Sequence, residues 1–230
     1  DTLQAKAQAN NCRVSAHEVD VVDGPGLQQA VDRAVAELGK PDFALNCAGI
    51  NVAKVFSELS QQEFESVVSV NLFGSRNFSA AVLPHLTGAA HLALVASMAG
   101  FVSSYSYAAY NASKYAVVGL AGAIRLEYLP KNIQVSVIAP GEINTPMVFE
   151  ERKTMHPVSR KMKEFAGTME LDDACEEILA GLVKRRNLVV PGFKPRLTYF
   201  IARYFPGLMQ KMSERMVLDT LRDKPVLGGK

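Results

Sequence analysis

The chain has 230 residues, of which 48% are hydrophobic and 21% charged, with a formal net charge of +2. That is enough chain for one sizeable core, and the balance excludes a disordered polymer and gives nucleic acid no electrostatic footprint. Three scattered cysteines, Cys12, Cys47 and Cys175, supply neither a disulfide framework nor C-x-x-C metal spacing, so a reducing, cytoplasmic setting and no metal are expected. No apolar run reaches the roughly 18 residues of a spanning helix, and the opening DTLQAKAQAN does not resemble a signal peptide.

In chain order, Asp1-Thr2 followed by strong helix formers predicts a short helix ending at Asn10-Asn11. Cys12 to Val22 alternates in polarity and meets Asp20, Asp23, Gly24 and Pro25, which predicts a strand running into a turn. From Pro25 to Leu38 apolar residues recur every three or four positions, an amphipathic helix closed by Gly39. Phe43-Ala44-Leu45 predicts a buried strand that ends in Asn46-Cys47-Ala48-Gly49, small residues that admit close backbone approach to a ligand. Ser60 and Glu63 have the spacing of a capping box, and the helix they begin runs through Val70 into Asn71, a poor helix former.

The run Leu92 to Ala96 predicts a buried parallel strand with Ser97 at its carboxyl end, the edge of an open α/β sheet where ligands bind. Tyr110 and Lys114, four residues apart, share one face of the next helix. An ammonium held near a phenol favours the phenolate, so this pair predicts a lowered tyrosine pKa and a general acid/base near neutral pH. Gln134 to Ile138 is a further buried strand, ending in Pro140-Gly141-Glu142-Ile143-Asn144-Thr145-Pro146. Met147 to Thr168, polar and broken by Pro157, is expected to be a mobile lid rather than core. A helix from Leu171 to Leu182 and a last strand from Asn187 to Val190 follow. The tail from Phe193 to Leu221 interleaves aromatic and apolar residues with Lys194, Arg196, Arg203, Lys211 and Arg215, which suits an interfacial helix, an oligomer contact or the wall of an acyl-chain pocket.

Taken in order, Asn46-Cys47-Ala48-Gly49, Asn71, Ser97, Tyr110-x-x-x-Lys114 and Pro140-Gly141 resemble the short-chain dehydrogenase/reductase family. The resemblance implies an α/β fold, a single Rossmann-type doubly wound parallel sheet over residues 1–192 with a hydrophobic, basic extension over 193–230. No G-x-x-x-G-x-G occurs in the sequence, so the family's first strand, glycine-rich turn, first helix and second strand are expected to be absent from it. The family's tetrad falls on Asn71, Ser97, Tyr110 and Lys114: a water-holding helix distortion, a carbonyl hydrogen bond, the proton donor, and the lysine that tunes it and binds the nicotinamide ribose. Cofactor contacts are implied at Asp20 and Val21 for adenine, at Asn46, Ala48 and Gly49 for the adenosine end, and at Tyr110 and Lys114. Further contacts are implied at Pro140, Gly141 and Ile143 for the carboxamide and at Thr145 for the pyrophosphate. Cys47 departs from the asparagine usual there.

Small residues at Ala116, Gly119, Gly122 and Ala123 suit the helix pairing by which family members form homodimers or homotetramers. The segments LNCAGINVAKVFSEL and PGEINTP, with the basic tail, look most like the 3-ketodihydrosphingosine reductase branch. That likeness implies NADP(H) in preference to NAD(H), an acyl-chain-bearing keto substrate and peripheral membrane contact through 193–221. A 3-oxoacyl-thioester reductase and a non-catalytic binding protein are the alternatives.

Overall fold

The computed structural model describes residues 2–223. Four parallel strands form the main sheet: β1 (Phe43–Asn46), β2 (His91–Val95), β3 (Gln134–Ile138) and, further along the chain, β6 (Leu188–Val189), in the order β1-β2-β3-β6. Ala44 faces Leu92, Ala93 faces Ser136 and Ile138 faces Val189 across the ladders. Alternate residues of each strand point to opposite faces. Leu92, Leu94, Val135 and Val137 bury against one helical layer through Val117, Ala121 and Ile124, while Ala93, Ile138 and Val189 bury against Leu182 on the other. Because both faces of β2 and β3 are covered, those two read as continuous apolar runs, whereas β1, expected to be buried, is covered on one face only and leaves Phe43 and Leu45 exposed.

The helices of the first layer have local reasons to start where they do. After α1 (Thr2–Ala9) comes α2 (Gly24–Leu38), capped by the Asp23 carboxylate, which accepts from Gly26 N at 3.0 Å. It closes at Gly39 with φ of 94°. The capping box forms at the head of α3 (Gln61–Val68): Glu63 N donates to Ser60 Oγ at 3.2 Å and Ser60 N to Glu63 Oε2 at 3.0 Å. A π-helical turn, Ser69–Phe73, separates α3 from α4 (Gly74–Val82). The long α5 (Ala108–Tyr128) then crosses the sheet.

Two expectations are corrected. Cys12 to Val22 forms no strand: residues 15 to 21 alternate between half-buried and exposed, as the sequence pattern implies, but no described strand pairs with them, and a ladder needs a partner. The segment is held instead through Arg13, whose guanidinium donates to Glu37 O at 3.0 Å and Leu38 O at 3.4 Å and so neutralises the carbonyl end of α2. Nor does Met147 to Thr168 lie wholly outside the core. It contains α6 (Pro146–Thr154) and α7 (Pro157–Ala166), with Met155, Val158 and Ser159 buried. Pro157 occupies the first helical turn, where its missing N–H costs nothing, and His156 caps it by accepting from Val158 N at 3.2 Å.

A short second sheet pairs β4 (Glu142–Ile143) with β5 (Thr168–Met169) and closes this segment on itself. Beyond α8 (Leu171–Val183), the tail forms α9 (Phe193–Tyr204) and α10 (Pro206–Asp223), broken at Pro206. The tail is not a detached extension. Arg196 donates to Val190 O at 2.9 Å and pairs with Glu177, Tyr199 meets Phe101 edge to face at 5.0 Å, and α10 packs against α7.

Candidate active site

The site forms where β2 and β3 end. Ala96 N donates to Ile138 O at 2.8 Å and Met98 N to Pro140 O at 2.9 Å, which fixes the two exits side by side. Ser97 lies between them in extended backbone, and its Oγ accepts from Ala99 N at 3.1 Å while its proton reaches Pro140 O only at 3.5 Å. That second bond is at the limit of useful geometry, so the hydroxyl can turn to a better acceptor. The turn Met98–Gly100 packs directly on α5, where a Cβ at Gly100 would come within 2.8 Å of Lys114 O. Asn111 ties the intervening loop down: its Nδ2 donates to Ala99 O at 2.7 Å and Val102 O at 3.0 Å, and its Oδ1 accepts from Ser104 N at 3.1 Å. Ser97, Tyr110 and Lys114 are thereby held around one cavity of about 570 Å³.

Asn71 sits behind that cavity, fully buried in the π-helical turn. Its side chain bonds both backbone groups of Ile50, accepting at 2.8 Å and donating at 3.0 Å, and donates to Ser113 Oγ at 2.9 Å. The asparagine thus joins the loop after β1 to α5. Gly49 passes between it and the lysine in tight quarters: a Cβ would meet Asn71 Oδ1 at 3.2 Å and Lys114 Nζ at 3.4 Å, so both would have to give slightly. Ser113, a partner in this joint, has no motif signal of its own.

Lys114 is 4% exposed and donates to Val95 O at 2.9 Å, with Nζ 5.5 Å from the centre of the Tyr110 ring. Burial disfavours its charged form and pushes the lysine down to about 8. The expected lowering of the Tyr110 pKa is not what the structure gives. Burial raises it, interaction with the Ser97 hydroxyl opposes that rise, and the Glu151 carboxylate adds to it. The lysine ammonium is turned to the β2 carbonyl, and the phenol keeps its proton at neutral pH.

Of the other predicted positions, Gly49, Pro140, Gly141, Ile143 and Thr145 line the cavity. Asn46 lies just outside it, donating to Ser75 Oγ at 3.0 Å and accepting from Ala48 N at 3.1 Å, so it shapes the turn that carries Ala48 and Gly49. Asp20 and Val21 are also outside: Asp20 Oδ1 accepts from Val22 N at 2.9 Å in a turn, and Val21 O accepts from Asn77 Nδ2 at 3.1 Å. Cys47 lines the cavity with its thiol pushed up by burial. The motifs give no sign of a second polar group in the cavity wall, made by Asn51, Tyr107, Glu142, Glu151 and Lys163. Among the described residues no group of three His, Cys, Asp or Glu could hold a metal ion.

A nicotinamide cofactor fits what is present. Lys114 has one described hydrogen bond, which leaves ammonium protons for ribose hydroxyls at the cavity wall. The N-terminus of α6, with Thr145 as its cap, opens on the same cavity and suits an anionic phosphate.

The short chain dehydrogenase family model matches residues 1–156. The chain belongs to that family. It is 30% identical over 160 residues to the 3-ketodihydrosphingosine reductase of Mus musculus, covering 69% of this chain and 48% of the relative. It is 34% identical over 187 residues to a 3-dehydrosphinganine reductase of Arabidopsis thaliana, covering 79% and 56%. A 3-oxoacyl-[acyl-carrier-protein] reductase of Thermotoga maritima matches at 28% over 149 residues, 64% of this chain and 61% of that one. The chain therefore spans about half the length of the sphingoid reductases it matches. Among solved structures, a short chain dehydrogenase from Mycobacterium paratuberculosis bound to NAD has a TM-score of 0.76 at 24% identity, covering 85% of this chain and 79% of its own. One from Burkholderia cenocepacia in complex with NADP has 0.70 at 24%, covering 88% and 80%. The Rossmann-type α/β fold follows from these likenesses and from the parallel sheet.

Proposed function

We propose that this chain is the catalytic portion of an NAD(P)H-dependent reductase that converts the ketone of a long-chain sphingoid base, such as 3-ketodihydrosphingosine, to a secondary alcohol. One observation carries the reading: a single cavity is lined both by Ser97, Tyr110 and Lys114 and by the apolar Met162, Phe165, Met209, Met212 and Met216. Ser97 hydrogen-bonds the carbonyl oxygen, and Tyr110 gives it a proton. Burial raises the Tyr110 pKa, which favours the protonated phenol and suits the reducing direction. Lys114 and the wall at Gly49, Pro140, Gly141, Ile143 and Thr145 hold the cofactor, which supplies the hydride. Asn71 keeps the loop of Gly49 against Lys114.

The methionines suit an alkyl chain because they are flexible and polarisable fillers of irregular apolar space. The outer face of the same tail exposes Phe193, Phe200, Tyr204, Phe205 and Leu208 beside Lys194, Arg203 and Lys211, which supports contact with a lipid surface from which such a substrate would come. Gly119 and Gly122 of α5 have no described atom within 4 Å of an added Cβ, which supports self-association through that face. NADP(H) in preference to NAD(H), and a cytoplasmic, membrane-peripheral location, complete the proposal.

The test is consumption of NADPH and of NADH by full-length protein with short 3-ketones, 3-oxoacyl thioesters and long-chain 2-amino-3-ketones. Turnover favouring the long-chain amino ketone is expected, and Tyr110→Phe should lower kcat about 10²–10⁴-fold while cofactor affinity persists. Turnover of thioesters alone would replace the substrate assignment. Cofactor binding without any turnover would favour a binding protein.

A further inference from the structure

The polar group of Asn51, Tyr107, Glu142, Glu151 and Lys163 shares the cavity wall with the catalytic residues and is built in detail. The Glu151 carboxylate of α6 accepts from the Tyr107 hydroxyl and, through Oε1, from Asn51 Nδ2 at 3.0 Å. Lys163 of α7 bridges it to Glu142, with Nζ 3.2 Å from Glu151 Oε2 and 3.1 Å from Glu142 Oε2. Tyr107 in turn packs edge to face on Tyr110 with ring centres 6.3 Å apart. The carboxylate is therefore one aromatic ring away from the proton donor.

Two features of this group call for a donor from the cavity. Asn51 spends its amide N–H on Glu151, and its Oδ1 is buried with no hydrogen-bond partner among the described residues. An acceptor buried without a partner is costly, and a turn of the Asn51 side chain toward the cavity would let a ligand N–H meet it. Lys163 is shared between two carboxylates, and Glu142 also holds Arg152 and Thr168. Glu151 can therefore turn its Oε2 to a new cation while Lys163 keeps a partner.

We infer that Asn51 and Glu151 form an amine subsite that recognises a primary amine on the carbon next to the reacting ketone. The inference rests on the reductase reading above. A 2-amino-3-ketone brings N–H donors and positive charge to this place. A 3-oxoacyl thioester brings only C–H groups and carbonyl acceptors, which would leave Asn51 Oδ1 without a donor and offer Glu151 no new cation, so the same group favours one substrate over the other.

The experiment compares full-length wild type, Glu151→Gln and Asn51→Leu with NADPH and two ketones of equal chain length, one bearing the 2-amino group and one with hydrogen in its place. The expected result is a wild-type preference for the amino ketone that shrinks about 10- to 100-fold in each variant, the size of a lost charge-assisted hydrogen bond. Titration calorimetry with the corresponding 2-amino alcohol and its amine-free analogue should show the same shrinkage in binding ratio, independent of turnover. An equal loss on both ketones, or an unchanged ratio in calorimetry, would give these residues a structural role only and overturn the subsite alone. Wild-type protein that reduces neither ketone would overturn the reductase reading and the subsite with it.

Discussion

Replacing Lys114 with methionine should make the protein inactive and more stable at once. The ammonium is 4% exposed, and burial takes it from the usual 10.5 to about 8. At about 1.4 kcal/mol per tenfold change in acid constant, holding the charged form in the fold costs roughly 3 kcal/mol. Methionine fills a similar volume without charge but leaves Val95 O without its 2.9 Å donor, a loss of about 1–2 kcal/mol. The balance is a gain of about 1–2 kcal/mol at pH 7, or about 3–6 °C in Tm for a chain of this size. The pH dependence has a definite sign. Between about 8 and 10.5 the unfolded chain still binds the proton that the folded chain has released, so wild-type stability rises with pH across that window. The advantage of Lys114→Met should shrink there and reverse once the wild-type amine is neutral in both states. Thermal melts of both proteins from pH 7 upward measure this. A lower Tm for Lys114→Met at pH 7, or a difference that does not change with pH, would refute the reasoning.

Asn71→Ala removes three buried hydrogen bonds, two to Ile50 and one to Ser113, and should cost about 2–4 kcal/mol in denaturant unfolding; a loss under about 0.5 kcal/mol would mean the joint holds without it. Glu63, drawn down to about 2 by Lys54 and the Ser60 cap, should hold the head of α3 until the pH falls from 4.5 through about 2. Ser60→Ala should move its NMR titration midpoint upward. The double change Phe200→Ser with Tyr204→Ser should weaken co-sedimentation with anionic vesicles at least tenfold while turnover of a soluble ketone stays within about twofold. Equal vesicle binding would remove the lipid-facing role of the tail.

The elements legible in the sequence are those whose signal is local. Leu92 to Ala96 and Gln134 to Ile138 are short apolar runs because both faces of their strands are covered, and the box at Ser60 and Glu63 needs only its own four residues. The distortion at Asn71 is also local, since an asparagine among Val70 and Leu72 has to find backbone partners inside the fold. Cys12 to Val22 shows the limit of pattern: it has the alternation of a strand, but pairing is decided by what lies beside it. Pro157 was misleading for the opposite reason, because the residue that breaks a helix also starts one. The acceptor group opposite Tyr110 had no signal to read. Asn51 and Glu151 are 100 residues apart, and only the fold brings a loop after β1 against α6.

That separation bears on how far kinship reaches. The family match ends at residue 156, and it contains Asn71, Ser97, Tyr110, Lys114 and the cofactor wall through Thr145. Lys163 and the apolar wall at Met162, Phe165, Met209, Met212 and Met216 all lie beyond it. Under the proposed reading the catalytic residues and the amine subsite of Asn51 and Glu151 lie inside the matched stretch, and only the apolar wall and Lys163 lie beyond it. A relative named for a thioester and relatives named for sphingoid ketones can match the first stretch about equally well, at 28% and 30% identity. On the proposed reading, what separates them is to be sought in the apolar wall of α7 and α10 and in Asn51 and Glu151, which line the same cavity.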